Sequence, residues 1–236
     1  MARIDYWHTM CPAFGTRKLS KTIQQQDGLP IGRKLARTLM ERMGIVSRAP
    51  KPGTSMPNKE HKKFPYLLRN KRIWLPNQVW AIDLTYIKMG KSHMYLTAII
   101  DWYSRYIVGW TLSYTLDTAP VAQAVEAAIK KYGTPYIINS DQGSQFTSGE
   151  YVELMAKHGI CQSMDGKARW IDNVIIERWF RSLKCEEIYI NEYNSPKELK
   201  KGITDYINLY NTIRPHESLG NLPPMTAYTG HFKRGV

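Results

Sequence analysis

The sequence predicts an α/β protein: a mixed sheet flanked by helices, preceded by a small helical segment. Three observations carry this. From residue 79 onward, runs rich in β-formers alternate with segments of helical periodicity. Prolines 50, 52, 57, 65 and 76 separate that region from an earlier one with helical spacing only. The charge also divides there. Residues 1–80 hold 16 Lys/Arg against 4 Asp/Glu, whereas residues 81–236 hold 17 against 16.

Residues 16–44 read as two short helices. Leu19 and Ile23 share a face in the first. Asp27-Gly28-Leu29-Pro30 breaks the run. In the second, Leu35, Leu39 and Met43 recur every four residues, with Arg33, Lys34, Arg37 and Arg42 on the other faces and Gly44 at the end. Two helices, a glycine-bearing turn and a basic second helix fit a helix-turn-helix over residues 1–45; a plain amphipathic hairpin is the alternative. Residues 46–78 read as a basic, proline-containing linker. There Lys59, Lys62, Lys63, Arg69, Lys71 and Arg72 are placed to track a phosphate backbone. A basic arm on a charge-balanced domain points to nucleic acid, the alternative being a solvated basic face.

The domain over residues 79–236 follows element by element. Val79–Met89, His93–Asp101 and Tyr106–Ser113 form an antiparallel meander joined by short connections. Thr118–Tyr132 is helical, with Val121, Val125 and Ile129 four apart, and Gly133-Thr134-Pro135 ends it. Tyr136–Ser140 is a short buried strand, Ser148–His158 a helix and Gly159–Met164 a last strand. Residues 171–190 and 195–211 are helices. This is the element order of the ribonuclease-H-like fold. No apolar run approaches the ~20 residues of a membrane span, and MARIDYWHTM lacks a signal core. Cys11, Cys161 and Cys185 form no CxxC pair, which argues for a reducing, cytoplasmic setting and against structural zinc.

Three carboxylates stand out. Asp83 interrupts an apolar strand, on the face of Ala81 and Thr85. An acid there is costly unless paired or bound to a cation. Asp141 ends a strand before the polar turn Gln142-Gly143-Ser144-Gln145, where sites collect in α/β sheets. Glu177 lies in a largely apolar helix, 35 residues beyond Asp141. Carboxylates converging at one sheet edge suit Mg²⁺ or Mn²⁺, and a pair of such ions suits phosphodiester chemistry. Asp101 also ends a strand, but Ser104 and Arg105 beside it suggest a turn bond. Asp172 reads as the cap of the Glu177 helix, and Asn173 shares the Glu177 face. Glu177, Arg181 and Lys184 are spaced i, i+4, i+7 on one stripe.

At these residues the chain resembles the OrfB transposases of bacterial insertion sequences, whose catalytic core resembles retroviral integrase. The matching segments are Leu75–Ile87, Ala98–Arg105 and Asn139–Ser148 (NSDQGSQFTS). Ser163-Met164, Asp172-Asn173, Glu177-Arg178, Ser182-Leu183-Lys184, Tyr210-Asn211 and Arg214-Pro215-His216 complete them. The resemblance implies a DDE triad of Asp83, Asp141 and Glu177 with two Mg²⁺ (or Mn²⁺) ions. It implies hydrolytic cleavage at element ends and transfer of the freed 3′-OH to another phosphodiester. It also implies that Lys184, with Arg181, reaches the DNA backbone, and that the chain works as a homo-oligomer on DNA at the bacterial nucleoid, with an upstream OrfA protein as partner. Beginning near the family's Ile4-Asp5, the chain reads as OrfB alone or a shortened copy. The competing expectations are a ribonuclease-H-like nuclease that cuts without joining, and a DNA-binding regulator derived from an inactive transposase.

Overall fold

The computed structural model describes residues 1–12, 14–47, 64–90, 92–164 and 174–230. The chain divides into two compact units, Met1–Lys59 and Glu60–Val236.

The first unit holds three helices: α1 (Ala2–Met10), α2 (Thr16–Asp27) and α3 (Arg33–Arg42). Gly28 ends α2 at φ 66°, a conformation open to glycine at no steric cost. Leu19 and Ile23 of α2 are buried as the spacing predicts, with Ile4, Ile31, Ala36 and Met40 around them. The α3 face differs from the predicted one. Leu35 is 52% exposed, and Ala36 and Met40 turn inward, with Leu39 and Met43 half-buried beside them. Where α2 lies decides which flank of the periodic stripe is covered, and the short Ala36 allows close packing there. The sequence reading also passes over α1. It buries Ile4 alone and is tied down by side chains: Trp7 Nε1 donates to Asp27 Oδ2 at 2.7 Å, and Arg3 pairs with Asp27.

The second unit is built on a five-stranded mixed sheet of β1 (Val79–Met89), β2 (Ser92–Asp101), β3 (Ile107–Ser113), β4 (Ile137–Ser140) and β5 (Cys161–Met164), in the order β3-β2-β1-β4-β5. The meander is antiparallel, and β4 and β5 run parallel to β1. Helices cover both faces, which explains the continuous apolar runs. On one face α4 (Thr118–Tyr132), the short α5 (Ser144–Thr147) and α6 (Gly149–Lys157) pack on Trp80, Ile82, Ile99 and Ile138. On the other, α7 (Val174–Leu183), a π-helical turn (Lys184–Ile188) and α8 (Pro196–Thr212) pack on Ala81, Leu96, Ala98 and Ile100. A short 3₁₀ turn (Glu217–Leu219) and α9 (Pro224–Tyr228) follow.

The strands fall within two residues of their predicted bounds. The predicted helix over 171–190 differs: α7 stops at Leu183 and widens into the π turn, closed by Tyr189 N–H to Lys184 O at 2.8 Å. Residues 64–78 lie against this unit, with Leu68 buried beside Val79 and Ile137 and Leu67 N donating to Ser163 Oγ at 3.0 Å. Among the described residues no helix is long and apolar enough to cross a membrane, and the three cysteines are free.

Candidate active site

Strand alternation places Asp83 with Ala81 on the α7 side, while Ile82 enters the opposite core. The Asp83 carboxylate is half-buried and accepts from Leu84 N at 2.7 Å. It lines a cavity of about 400 Å³ together with Thr85, Glu177, Arg181, Lys184 and Tyr189. Glu177 reaches this cavity from the first turn of α7, where negative charge sits well with the helix dipole.

Asp141 follows β4 directly. The parallel register pairs Ala81, two residues before Asp83, with Asn139, two residues before Asp141, so both aspartates follow the last residues paired between β1 and β4. Asp141 is exposed, and its Oδ1 accepts from Gly143 N at 2.9 Å. Gly143 is needed for that approach, since a Cβ there would come 2.9 Å from Asp141 Oδ1 and within 2.6 Å of the Gln145 side chain. The structure thus joins Asp83 and Glu177 in one cavity and puts Asp141 at the end of the neighbouring strand. Among the described residues, no three His, Cys, Asp or Glu side chains gather closely enough to hold a metal ion; Asp141 is turned onto its own loop.

Glu177, Arg181 and Lys184 line the same cavity, as their spacing predicts. The Lys184 ammonium donates to Thr85 Oγ1 at 2.7 Å and lies 5.3 Å from the Tyr86 ring centroid. Burial pulls its pKa below that of an ordinary lysine. Both neighbouring acids, Glu186 and Glu187, are engaged by other side chains. Glu186 accepts from Arg214 at 2.6 and 2.8 Å and from the Tyr206 hydroxyl at 2.9 Å, while Glu187 accepts from the Tyr193 hydroxyl at 2.6 Å.

Asp101 is a structural acid. It is wholly buried and accepts from Asn77 N at 2.8 Å, Ser104 N at 2.7 Å and Ser104 Oγ at 2.5 Å. Burial raises its pKa above the usual carboxylate value, against the pull of those donors. The expected Ser104 turn bond is present.

Of the remaining candidates, Arg33, Lys34 and Arg37 are exposed on α3 of the first unit, and Arg37 pairs with Glu41 at 2.9 Å. Lys62, Lys63, Asp172 and Asn173 lie outside the described residues. Sequence reasoning missed the anchoring of Lys184 by Thr85 and the role of Asn211. Buried Asn211 accepts from Ile107 N at 2.9 Å and donates to Ile107 O at 3.1 Å. It serves as a strand partner on edge strand β3, beside the register shift at Ile99/Ile100. The Tyr210-Asn211 signal was visible, but not its partner.

Comparison with known proteins extends the geometry. Residues 75–169 and 158–224 match two integrase core domain families. The putative transposase InsK of insertion sequence element IS150 from Escherichia coli K12 is 29% identical over 237 residues, covering 94% of this chain and 79% of that protein. Transposase InsF for insertion sequence IS3fB from the same organism is 32% identical over 152 residues, covering 63% and 53%. The HTLV-2 integrase catalytic core domain, solved in complex with magnesium, matches with TM-score 0.50 and 21% identity over 65% of this chain and 97% of that one. A chain of the simian T-cell lymphotropic virus intasome, solved with the PP2A regulatory subunit B56 gamma, matches with TM-score 0.60 and 16% identity over 95% and 74%. The sheet and its helices are therefore an integrase-type core of ribonuclease-H-like fold. Over residues 75–224 the chain carries the integrase core domain of these families, and it is a transposase with an integrase-like core, a polynucleotidyl transferase.

Proposed function

We propose that Asp83, Asp141 and Glu177 are the catalytic carboxylates of this transposase and hold two Mg²⁺ (or Mn²⁺) ions for cleavage and strand transfer at the ends of an insertion sequence. The observation that carries this is the shared cavity of Asp83 and Glu177, with Asp141 directly after the neighbouring strand β4. The donor set fits hard divalent cations: all three groups are carboxylates with solvent access, and no histidine lines the cavity. When bound, such ions activate an attacking oxygen and stabilise a leaving oxygen.

The protein's own contribution is placement. The parallel β1–β4 pairing fixes the separation of the two aspartate backbones, and α7 brings Glu177 across the sheet edge. Thr85 steers the Lys184 ammonium towards a DNA phosphate beside the carboxylates, and Arg181 adds a second cation. Residues 1–45 act as a helix-turn-helix-like DNA-binding segment through Arg33, Lys34 and Arg37. Residues 46–78 act as a basic linker through Lys62 and Lys63, and residues 79–236 as the catalytic core. Its partners are element-end and target DNA, further copies of this chain and an upstream OrfA protein, at the nucleoid. The intasome likeness supports the DNA and oligomer parts of this reading.

The test is incubation of the full chain with labelled element-end duplexes and Mg²⁺. Cleavage products and joined products are expected, and both disappear with chelator. Cleavage without joining would favour the simple nuclease. DNA binding with neither reaction would favour the regulator.

A further inference from the structure

A second cavity, of about 500 Å³, adjoins the carboxylate cavity along β1 beyond Thr85. Lys184 and Tyr189 line both. β4 pairs with β1 only as far as Ala81, and the π turn with the residues after it lines the cavity from the other side. Ile87 and Ile188 also line it and belong to the buried core on the α7 side, which gives it an apolar floor.

Two further lining residues are large aromatics left open among the described residues: Tyr86 is 62% exposed and Tyr189 72%. A single exposed aromatic needs no explanation, but two from different elements of one cavity offer a pair of π surfaces. Tyr86 is braced, its ring edge-on to His93 at 5.7 Å and its centroid 5.3 Å from the Lys184 ammonium. The charges on the described lining residues are Lys88 and Lys184 against Glu192; Glu187 nearby accepts from the Tyr193 hydroxyl at 2.6 Å. Two cations beside one acid are too few to track a run of phosphates. An apolar floor with aromatic walls suits a flat, uncharged ring. Asn194 and Asn191, the latter already donating to Glu187 O at 2.8 Å, add amide groups that can meet the edge of such a ring. The volume falls within the ~300–1,000 Å³ of small-ligand pockets.

We propose that this cavity takes one unpaired nucleobase of the DNA being cut, stacked on Tyr86 and Tyr189, with Lys184 at the phosphate of the same nucleotide. The continuity of the two cavities selects this occupant. Thr85 holds the Lys184 ammonium at 2.7 Å where they meet, so a nucleotide whose phosphate pairs with Lys184 has this cavity beside its base. A base inside the duplex has both faces covered by its neighbours, so entry requires that its pair be opened. The inference rests on the proposed function and deepens it: the site opens a base pair next to the phosphodiester it cuts.

The experiment measures binding by the full chain, with chelator present so that nothing is cut. The probes are element-end duplexes, matched or carrying a mismatch on either side of the cleaved phosphodiester in turn. One mismatch position should tighten binding about tenfold, because the cost of opening the pair is already met. An abasic sugar at that position should lose the gain. Tyr189→Leu and Tyr86→Leu should bind matched and mismatched duplexes alike, whereas Tyr189→Phe and Tyr86→Phe, which keep the ring, should retain the gain. No gain at either position, or the same gain in both leucine variants, overturns the base site. Deoxyadenosine monophosphate that binds with dependence on Tyr189, without any mismatch gain, overturns the DNA assignment and marks a site for free nucleotides. Cleavage with Mg²⁺ keeps the two readings apart. No mismatch gain beside wild-type cleavage sinks the base site alone. A mismatch gain that depends on the tyrosine rings, with no cleavage of any duplex, sinks the proposed function and leaves the base site standing.

Discussion

Asp83 and Asp101 lie on paired neighbouring strands, three residues apart along the ladder, since Trp80 faces Asp101 and Asp83 faces Ala98. Their surroundings differ completely. Asp101 is sealed and accepts three hydrogen bonds that knit the β2–β3 turn to the segment entering β1. Asp83 is half-buried and opens onto a cavity containing a second acid and two cations. A carboxylate whose lone pairs are met by backbone donors works for the fold. One that shares an open cavity with a second acid is placed to meet a bound cation.

The sharpest way to break this comparison is by near-isosteric neutralisation. Asp83→Asn, Asp141→Asn and Glu177→Gln should each lower cleavage and joining by about 10³-fold or more, since each removes a metal-binding charge worth several kcal/mol in the transition state. Melting temperatures should stay within about 2 °C. Asp101→Asn should do the reverse. It places an NH₂ group or a weaker acceptor before three donors, at a cost of about 3 kcal/mol and about 6–12 °C in Tm, while the folded fraction keeps its rate. A triad variant with near-wild-type Mg²⁺-dependent activity, or a well-folded but inactive Asp101→Asn, would exchange the roles assigned here.

The loop at Asp141 gives a smaller effect. Gly143→Ala should lower cleavage by about 10–100-fold, because the new methyl group lands against Asp141 Oδ1 and misplacement by an ångström carries that scale of loss. Tm should hardly move, as the loop is exposed. A wild-type rate in this variant would mean that Asp141 leaves its turn with Gly143 before it acts.

How much of this was legible follows from what each element depends on. The strands and α4 were readable because both sheet faces are covered, so apolar runs and four-residue spacings survive as pattern. The burial of Ala36 and Met40 rather than Leu35 was not readable, because the stripe on α3 is broad and the position of α2 selects its flank. Asp101 was separable from Asp83 through Ser104, three residues away. The pairing of Asp83 with Glu177 needed the family resemblance, since no local rule joins a strand residue to a helix so far along the chain. The Lys184–Thr85 bond spans 99 residues, and the π turn that begins at Lys184 has no pattern that distinguishes it from ordinary helix.

Lys184 sharpens the comparison from the cationic side. Lys184→Ala should weaken end-DNA binding about tenfold, with metal affinity unchanged, and Lys184→Arg should keep much of the function. Burial lowers the Lys184 pKa, so its contribution to DNA affinity should fade as pH rises through that depressed value, below the ~10.4 of free lysine. The effect on stability has the opposite sign. Between the depressed value and the free one the unfolded chain holds the extra proton, so stability from this group rises with pH. Lys184→Arg stays charged and should flatten both profiles. If the alkaline loss of DNA affinity is the same in wild type and Lys184→Arg, Lys184 is not the cation responsible.

The smallest expected effect separates two cations on one helix. Lys34 and Arg37 are both exposed on α3, but Arg37 is paired with Glu41 one turn away. A free surface cation that meets a phosphate releases one counterion, so Lys34→Gln should reduce the salt slope of duplex binding by about 0.9. Arg37 must first give up Glu41, a surface pair worth at most about 1 kcal/mol, so its net gain on binding is smaller. Arg37→Gln should therefore cost less affinity than Lys34→Gln. Glu41→Gln, which frees Arg37, should strengthen duplex binding by up to about fivefold at low salt. All three changes should act equally on element-end and unrelated DNA, because phosphate contacts carry no base sequence. The measurement is duplex affinity between about 50 and 200 mM salt, a range over which phosphate contacts dominate the change. Unchanged slopes in Lys34→Gln and unchanged affinity in Glu41→Gln would make the α3 face a solvated surface. The excess charge of the first 80 residues would then have to act from elsewhere.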